Sequence, residues 1–390
     1  MSKWMGLLIR RERLRRSFSQ EGLCRGICAV SYLSKIEQGK AEAGEDILLP
    51  LLERLGIRYE AEPDFLHEAE ALVEALYGEF LSGRDHLSSF SALHQRLLAQ
   101  KDRLLTSPLM LDAMLLLALK ERDTAKNLAE FSGCMSPRQY ALYLYLRLDE
   151  ADTAEELLRL DPCAVYTIAV GSRYLWRGQY TEAIELTNRG YDLAAREGHV
   201  YLMIQAKLAL GNCYSSTGHR DLMLESYRIT RNLAEAVKED LWSAYTDYNT
   251  ASSYLEWGMP QEAYALLKAS PMEGEALYFH KLAIASEQLG RPEEALTALE
   301  RGAALLQPPD TDSSRTYREL FDLVRYRLTH PDYLQDGVYA ALMEDTFNHI
   351  RRDLTDGFVR FHVPYMLQTL EADRRYKDAY RLMKEYFHHQ

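Results

Sequence analysis

The chain has 390 residues and a formal net charge of −12 at pH 7, with 47% hydrophobic and 27% charged residues. This composition excludes an intrinsically disordered chain, and the length predicts more than one structural unit. The charge is uneven, because residues 1–58 carry eleven Lys and Arg against seven Asp and Glu, so this segment is +4 and the remainder is −16. A basic segment on an acidic body favours contact with phosphate at one end only.

The sequence lacks the patterns of secreted and membrane proteins. Arg10, Arg11 and Arg13 interrupt any apolar run near the start, so we expect no secretory signal. The best apolar stretch, Leu109 to Leu119, is too short to span a bilayer and contains Asp112. Five scattered cysteines fit a reducing compartment. The sequence therefore predicts a cytoplasmic protein without a membrane partner.

No arrangement of catalytic or metal-binding residues stands out. Cys24 and Cys28 are one helical turn apart, but no second cysteine pair or nearby histidine completes a tetrahedral zinc site. The sequence contains no phosphate-binding loop, no His-Glu-x-x-His helix and no nucleophile elbow. We expect a protein that is not an enzyme and that needs no metal or cofactor.

The first 58 residues have the pattern of a small bundle of short helices. Ser19 can cap a second helix that ends near Gly26, while Leu33 and Ile36 turn the apolar face of a third helix inward. Another helix follows from Ile47 to Leu55. The residues left on or near the outer face of the third helix are Ser31, Tyr32, Ser34 and Lys35. This pattern predicts a helix-turn-helix unit whose third helix enters the major groove of double-stranded DNA.

The rest of the chain contains internal repeats. Residues 59–66 are polar and predict a linker, and residues 67–390 are helical in pattern. A glycine turn recurs every 32 to 40 residues, at Gly178, Gly218, Gly258 and Gly290. Seven positions earlier stand small residues that let two helices approach, namely Gly171, Gly211, Ala251 and Ala283. The sequence therefore predicts an all-α fold, with the helix-turn-helix bundle followed by a right-handed α-solenoid of tetratricopeptide-like helix pairs.

The inner face of this solenoid offers a candidate ligand groove. Projection of the repeat selects Gln205, Asn212, Tyr245, Tyr248, Asn249, Ser252, His280, Lys281, Glu287, Tyr365 and Gln368, with Tyr140 and Tyr143 from the preceding weak repeat. An asparagine carries a donor and an acceptor, so Asn212 and Asn249 could hold an extended peptide backbone. Tyrosines add apolar area with a polar tip. The alternative is an ordinary solvated inner face.

The head resembles the Xre/Cro-type helix-turn-helix. The resemblance rests on Ser19-Gln20-Glu21-x-Leu23 and on Ser34-Lys35-Ile36-Glu37-Gln38-Gly39, with the lead-in Ile9-Arg10-x-x-Arg13. It implies that Gln20 contacts DNA, that Ser31, Tyr32 and Lys35 read bases, and that Arg10 braces Glu37. Arg25 and Ser34 complete the predicted DNA-binding set. The turn Arg25 to Ala29 is one residue shorter than the commonest form, which leaves the base-reading register open by one position.

Nearly the whole chain resembles the RRNPP regulators of Gram-positive bacteria, the group that includes Rgg, NprR, PlcR and PrgX. The resemblance implies a homodimer whose repeat domain binds a short signalling peptide of the quorum-sensing type, which changes operator binding. Groove asparagines hold the peptide backbone in that family, which matches Asn212 and Asn249. The sequence also leaves open a protein-interaction scaffold, in which the repeats sequester a protein partner and the head is a docking bundle.

Overall fold

The computed structural model describes residues 3–306 and 312–387, and this part of the chain is helical without a strand. The predicted all-α fold is confirmed. The chain divides into two compact units, Met1–Tyr166 and Thr167–Gln390. This division differs from the predicted separation into a head, a linker and a repeat domain, and the latter stays a prediction.

Four short helices form the head at the start of the first unit. They are α1 (Lys3–Arg15), α2 (Gln20–Cys24), α3 (Val30–Glu37) and α4 (Glu45–Arg54). Ser19 Oγ accepts a hydrogen bond from the backbone N–H of Gly22 at 2.9 Å, so it caps α2 as expected. Residues 25–29 join α2 to α3, which fixes the position of the short turn.

The head has its own hydrophobic core. Its fully buried side chains include Leu8, Ile9, Leu23, Leu33, Leu48, Leu51 and Leu55. Helices α1 and α3 come so close that a Cβ atom on Gly6 would lie 2.0 Å from the backbone oxygen of Ile36. Because one face of α3 is fixed against α1 in this way, its opposite face is left for solvent or a partner.

The remainder of the first unit is a series of helices of unequal length. They are α5 (Pro63–Leu81), α6 (Ser88–Leu104), α7 (Met110–Ala118), a 3-10 segment (Arg122–Cys134), α8 (Pro137–Leu146) and α9 (Thr153–Leu160). The predicted linker, residues 59–66, is half helical, because Pro63 takes a first helical position where its missing N–H costs nothing. Just before it, the Glu60 carboxylate accepts a hydrogen bond from Arg103 Nε at 2.7 Å, so the segment is tied down.

The second unit is a row of helices in which each packs against the next. They are α10 (Ala164–Trp176), α11 (Tyr180–Glu197), α12 (Val200–Ser216), α13 (Arg220–Val237), α14 (Asp240–Glu256), α15 (Pro260–Ala269), α16 (Ala276–Gln288), α17 (Pro292–Leu305), α18 (Asp312–Thr329), α19 (Gly337–Asp353), α20 (Asp356–Ala372) and α21 (Tyr376–Phe387), with a 3-10 turn (Tyr333–Gln335) before α19. This arrangement is that of stacked helix pairs.

The predicted glycine turn ends every second helix of this row up to α16. Gly178, Gly218, Gly258 and Gly290 have φ angles between 70° and 75°. Only glycine adopts this left-handed conformation without a steric penalty, which is why it recurs at this point of the repeat. The next helix begins two residues later in each case, as at Tyr180 after Gly178.

Small residues allow paired helices to touch. A Cβ atom on Gly211 of α12 would lie 2.1 Å from Cε1 of Tyr227 on α13. One on Gly171 would lie 2.5 Å from Oγ1 of Thr187. Both contacts confirm the predicted role of these glycines. The first one brings the Tyr227 ring beneath α12, where its hydroxyl donates to Asn212.

Candidate functional site

The outer face of α3 presents the residues predicted to read DNA. Ser31 and Lys35 are exposed. Tyr32 is half-buried, and its hydroxyl donates to the backbone oxygen of Glu42 at 2.9 Å. Ser34 Oγ accepts a hydrogen bond at 3.1 Å from a glutamine one turn later. Of the predicted DNA-reading residues, Ser31 and Lys35 therefore project into solvent. Tyr32 and Ser34 form hydrogen bonds within the head.

The brace of the head is made by Arg13, and the predicted pairing of Arg10 with Glu37 is wrong. Arg13 Nε and Nη2 donate to the two carboxylate oxygens of Glu37 at 2.6 and 2.9 Å, and Arg10 is exposed. The reason is helical periodicity: Arg13 follows the buried Ile9 by four residues and shares its inward face, which Arg10 does not. The hydrogen bonds to Glu37 raise the pKa of Arg13 and stabilise its charged form.

Gln20 takes part in the same brace. Its Nε2 donates to Glu37 Oε2 at 2.8 Å, so the amide is oriented by α3. Arg25 lies in the turn between α2 and α3 and is exposed, and its backbone oxygen accepts a hydrogen bond from Arg54 Nη1 at 2.7 Å. DNA contact by Gln20 and Arg25 stays a prediction.

The second unit contains a pocket of about 360 Å³, a size that suits part of an organic ligand. Side chains from α10, α12, α13, α14, α16 and α20 line it, and they include Trp176, Asn212, Ser215, Tyr227, Tyr248, Asn249, Ser252, Ser253, Glu256, Trp257, Lys281, Phe358, Arg360 and Phe361. Helix α20 closes the pocket against the start of the row, where Tyr180 donates a hydrogen bond to the carboxylate of Asp356. Helices far apart in sequence thus share one site.

A seam of polar side chains runs from α12 to α14 along the pocket wall. Asn212 Oδ1 accepts hydrogen bonds from the Tyr227 hydroxyl at 2.6 Å and from Asn249 Nδ2 at 3.0 Å. One turn further, the hydroxyls of Ser215 and Ser253 lie 2.7 Å apart. Asn212 Nδ2 and Asn249 Oδ1 have no partner among the described residues, so the wall keeps one donor and one acceptor.

Two charged groups of opposite sign also line this pocket. Lys281 of α16 is 3% exposed, and its Nζ lies 2.7 Å from the ring centroid of Phe361. Glu256, at the end of α14, opens to solvent. The protein atoms around the pocket desolvate the carboxylate of Glu256 in part and raise its pKa above the ordinary value, although Lys281 and Arg360 act in the opposite direction. Burial lowers the pKa of Lys281 well below its ordinary value, and Glu256 opposes that change.

Arg360 is already held by other groups. Its Nε donates to Asp356 Oδ2 at 2.7 Å and its Nη1 to the backbone oxygen of Tyr386 at 3.0 Å. The guanidinium also lies 5.3 Å from the ring centroid of Tyr180. These contacts fix the side chain at the edge of the pocket, so Arg360 shapes the wall more than it offers free charge.

The structure brings together several residues that the sequence assigned to peptide binding. Those that line the pocket are Asn212, Tyr248, Asn249, Ser252 and Lys281. They come from the helices on which the repeat was most regular. Their contact with a ligand stays a prediction, but their convergence on one pocket supports it.

Three other predicted residues lie on the same helix faces as pocket residues but outside the pocket itself. Gln205 precedes Asn212 by two helical turns on α12, and Tyr245 precedes Asn249 by one turn on α14. Gln368 is exposed on α20, one turn beyond the last pocket residue of that helix. The prediction therefore selected the helix faces that line the pocket, but the pocket extends along only part of the length of each helix.

His280 does not line the pocket, and its predicted role in peptide binding is wrong. The side chain is 1% exposed, and its ring lies 5.8 Å from that of His362 in a stacked arrangement. Helix α16 is enclosed by its neighbours, so every residue from Tyr278 to Ser286 is buried. A residue on such a helix contacts a ligand only where a pocket reaches it, as at Lys281.

Tyr140 and Tyr143 belong to α8 of the first unit. Their rings stack with centroids 6.0 Å apart. Tyr143 is buried and accepts a hydrogen bond from Arg147, which closes it to a ligand, so this prediction is wrong. The Tyr140 hydroxyl donates to Glu156 at 2.9 Å, and its role stays a prediction.

The sequence reasoning missed other pocket residues. Glu256 follows Ser252 by four residues and shares its helical face, so the same projection could have found it. Trp176 is 63% exposed at the end of α10, a signal visible only once the pocket is known. Phe358 and Phe361 join the pocket because α20 folds back on α12, which no local pattern in the sequence indicates.

Neither a membrane span nor a metal centre is found in the described ranges 3–306 and 312–387. No helix there is both long and apolar enough to cross a membrane. Within the same residues, no three His, Cys, Asp or Glu side chains group as metal ligands. The site is thus defined by its polar seam, its aromatic walls and its two charged groups.

Fold and pocket together define a class, that of all-helical repeat proteins with a ligand-sized pocket formed by their repeats. Two solved structures share this fold with TM-scores of 0.54 and 14% identity. One is a Rap protein complexed with Competence and Sporulation Factor, matched over 82% of this chain and 99% of that one. The other is the apo form of the quorum sensor NprR from B. thuringiensis, matched over 81% and 99%.

A third structure, B. thuringiensis PlcR in complex with the peptide PapR7 and DNA, aligns over 81% of this chain and 98% of that one, at 14% identity. Its TM-score of 0.26 is too low to add to the argument. No protein-family model and no curated protein matches the sequence. The resemblance to the RRNPP regulators that the sequence predicted is confirmed for the fold by the Rap and NprR structures.

Proposed function

We propose that this chain is a DNA-binding transcription regulator whose repeats bind a short signalling peptide in the pocket of the second unit. The observation that carries the proposal is the asparagine pair. Asn212 and Asn249 are locked to each other and still keep one amide donor and one carbonyl acceptor. A peptide unit offers the complementary acceptor and donor, so the pair can hold an extended backbone.

Two further observations support the proposal. NprR is a quorum sensor and the Rap protein is complexed with Competence and Sporulation Factor, so this fold serves signal binding in other proteins. The head carries a net charge of +4 and projects Lys35 from α3, which suits contact with DNA. In a homodimer, two heads would bind two half-sites, and the peptide would act by binding one dimer arrangement better than another.

Lys35→Ala is expected to weaken binding to duplex DNA about tenfold or more, since one side chain that reads a base contributes roughly 1–3 kcal/mol. The measurement is a mobility-shift titration with duplexes selected by the wild-type chain from a random pool. Lys40→Ala is the matched control, because Lys40 is also exposed but lies beyond α3. We expect its effect to be smaller.

Full affinity of the Lys35→Ala variant would contradict the assignment of α3 as the reading helix. Binding of the wild-type chain should also fall steeply as salt is raised, because phosphate contacts release counterions. If the wild-type chain bound no duplex at low salt, the scaffold function would be favoured instead.

Asn249→Ala is expected to leave DNA affinity unchanged and to remove the response to peptide. The substitution takes away the pocket acceptor and frees Asn212, which should weaken peptide binding about tenfold. The probe is a pool of random seven-residue peptides, with retention on the immobilised chain measured by mass spectrometry. Asn188→Ala is the control, since Asn188 donates to the backbone of its own helix α11 at 3.0 Å and lies outside the pocket. A variant that retained peptides as the wild type does would refute the role of the pair.

A further inference from the structure

Lys281 is a buried lysine without an anionic partner among the described residues. Its side chain lines the pocket, and its Nζ forms neither an ion pair nor a hydrogen bond with any described residue. The ring of Phe361 lies beneath it, and a second ring, that of Phe358, has its centroid 5.9 Å away. Aromatic faces accommodate a cation, but they leave all three N–H groups of the ammonium without an acceptor.

Two other buried cations among the described residues are paired with carboxylates. Arg13 in the head and Arg327 in α18 each donate two hydrogen bonds to one carboxylate, that of Glu37 and Glu287 respectively. An unpaired charge in a protein interior is strongly unfavourable, and proteins pair such groups. At Lys281 the missing partner is expected to come from outside the chain, because the pocket gives access to it.

Glu256, a carboxylate that lines the same pocket, does not act as the ion-pair partner of Lys281. Arg360 is held by Asp356, so it neither replaces Lys281 nor removes its need for an anion.

We propose that Lys281 binds a carboxylate of the ligand in this pocket, either the terminal carboxylate of a peptide or the side chain of an Asp or Glu within it. The proposal rests on the proposed peptide-binding function and adds the chemical group that the pocket selects. In this arrangement Asn212 and Asn249 hold the backbone of the peptide, and Lys281 holds its carboxylate. A charge-assisted hydrogen bond in an enclosed site is among the stronger polar contacts that a ligand can form.

The test uses the full chain and three pools of random seven-residue peptides. The first pool lacks Asp and Glu and ends in a free carboxylate, and the second is the same pool with an amidated end. The third is amidated and contains one Glu at varied positions. Peptides retained on the immobilised chain are identified by mass spectrometry, and dissociation constants of the best ones are measured by calorimetry.

The wild-type chain is expected to bind peptides of the first or third pool at least about tenfold more tightly than those of the second. Preference for the first pool assigns the group to the peptide terminus, and preference for the third assigns it to a side chain. Lys281→Met should remove the preference and leave binding of the second pool unchanged. Lys207→Met is the matched control, since Lys207 also packs over an aromatic ring, with its Nζ 4.3 Å from the Tyr191 ring centroid, but does not line the pocket.

Glu256→Gln provides a second variant, which keeps the Lys281 side chain in place and removes a carboxylate from the pocket wall. Removal of a negative charge from the pocket wall should increase the preference for carboxylate peptides, and a decrease would contradict the proposal. Equal binding of all three pools by the wild-type chain, or an unchanged preference in a folded Lys281→Met variant, would overturn the role of Lys281 and leave peptide binding intact. Retention of no peptide from any pool would instead overturn the proposed function itself.

Discussion

The second unit is expected to lose about 3 kcal/mol of stability between pH 7 and pH 4 through one buried histidine, His362. This residue is 4% exposed in α20. Burial lowers its pKa to about 3, and the nearby positive charges of Lys281 and Arg327 act in the same direction. A hydrogen bond between Nδ1 and the backbone oxygen of Phe358, 2.8 Å long, opposes them only in part.

The sign follows from the two protonation states. An unfolded histidine has a pKa near 6.5, so between about pH 6.5 and pH 3 the unfolded chain binds a proton that the folded chain does not. The contribution of His362 is therefore fully present above pH 6.5 and is lost as the pH falls towards 3. His280 adds to the effect, because burial and the charge of Lys281 lower its pKa as well.

Urea unfolding at pH 7, 5 and 4 measures this dependence. His362→Phe keeps a ring in place and removes the titrating group, so the difference in unfolding free energy between wild type and variant should shrink or reverse as the pH falls. His219→Gln is the control, because His219 is exposed on the same unit. A variant whose stability declined with acid as steeply as that of the wild type would contradict the assignment to His362.

The repeat architecture could be predicted because its signal is local and physically required. A left-handed residue ends each first helix from α10 to α16, and only glycine takes that conformation freely, so Gly178 and Gly218 stand out in the sequence. The close helix approach at Gly211 is equally local, since a larger residue would meet Tyr227. From such local features the positions of the helices, their order and the inward faces of α12 and α14 could be predicted.

The composition of the pocket was less predictable, because it depends on contacts between distant helices. The return of α20 to α12 brings Phe361 next to Lys281, eighty residues away, and no period in the sequence encodes that meeting. The burial of α16 from every side has the same origin, and it separates His280 from Lys281 although they are adjacent in sequence. A projection onto one repeat cannot distinguish a residue that faces the pocket from one that faces the next helix.

Glu37→Gln is expected to destabilise the head by about 3–5 kcal/mol, because removal of one partner from a buried ion pair leaves an uncompensated charge. Glu37 is 2% exposed and accepts hydrogen bonds from Arg13 and Gln20. It is therefore the point at which α1, α2 and α3 are joined. In the Glu37→Gln variant the amide oxygen can still accept one hydrogen bond from Arg13, and the backbone oxygen of Phe18 remains 2.9 Å away, but the guanidinium loses the negative charge of Glu37.

Hydrogen exchange of the backbone amides, followed by mass spectrometry, measures the head separately from the repeats. Protection of α1 and α3 should fall by at least about a hundredfold in the Glu37→Gln variant, and protection of α12 and α14 should not change. Arg10→Ala should have almost no effect, because Arg10 is exposed. If Arg10→Ala opened the head as much as Glu37→Gln, Arg13 would not be the brace.

A double variant separates the two consequences of losing Glu37. Replacement of both partners, Arg13→Met with Glu37→Leu, removes the unpaired charge and should recover most of the lost protection, because apolar residues of similar size replace buried ion pairs at little cost. Gln20 would then lose its acceptor, while Lys35 would still stand on a folded α3. DNA affinity restored in the double variant would show that the brace acts through the fold of the head, and affinity that stayed low despite a folded head would indicate that Gln20, as oriented by Glu37, contacts the DNA itself.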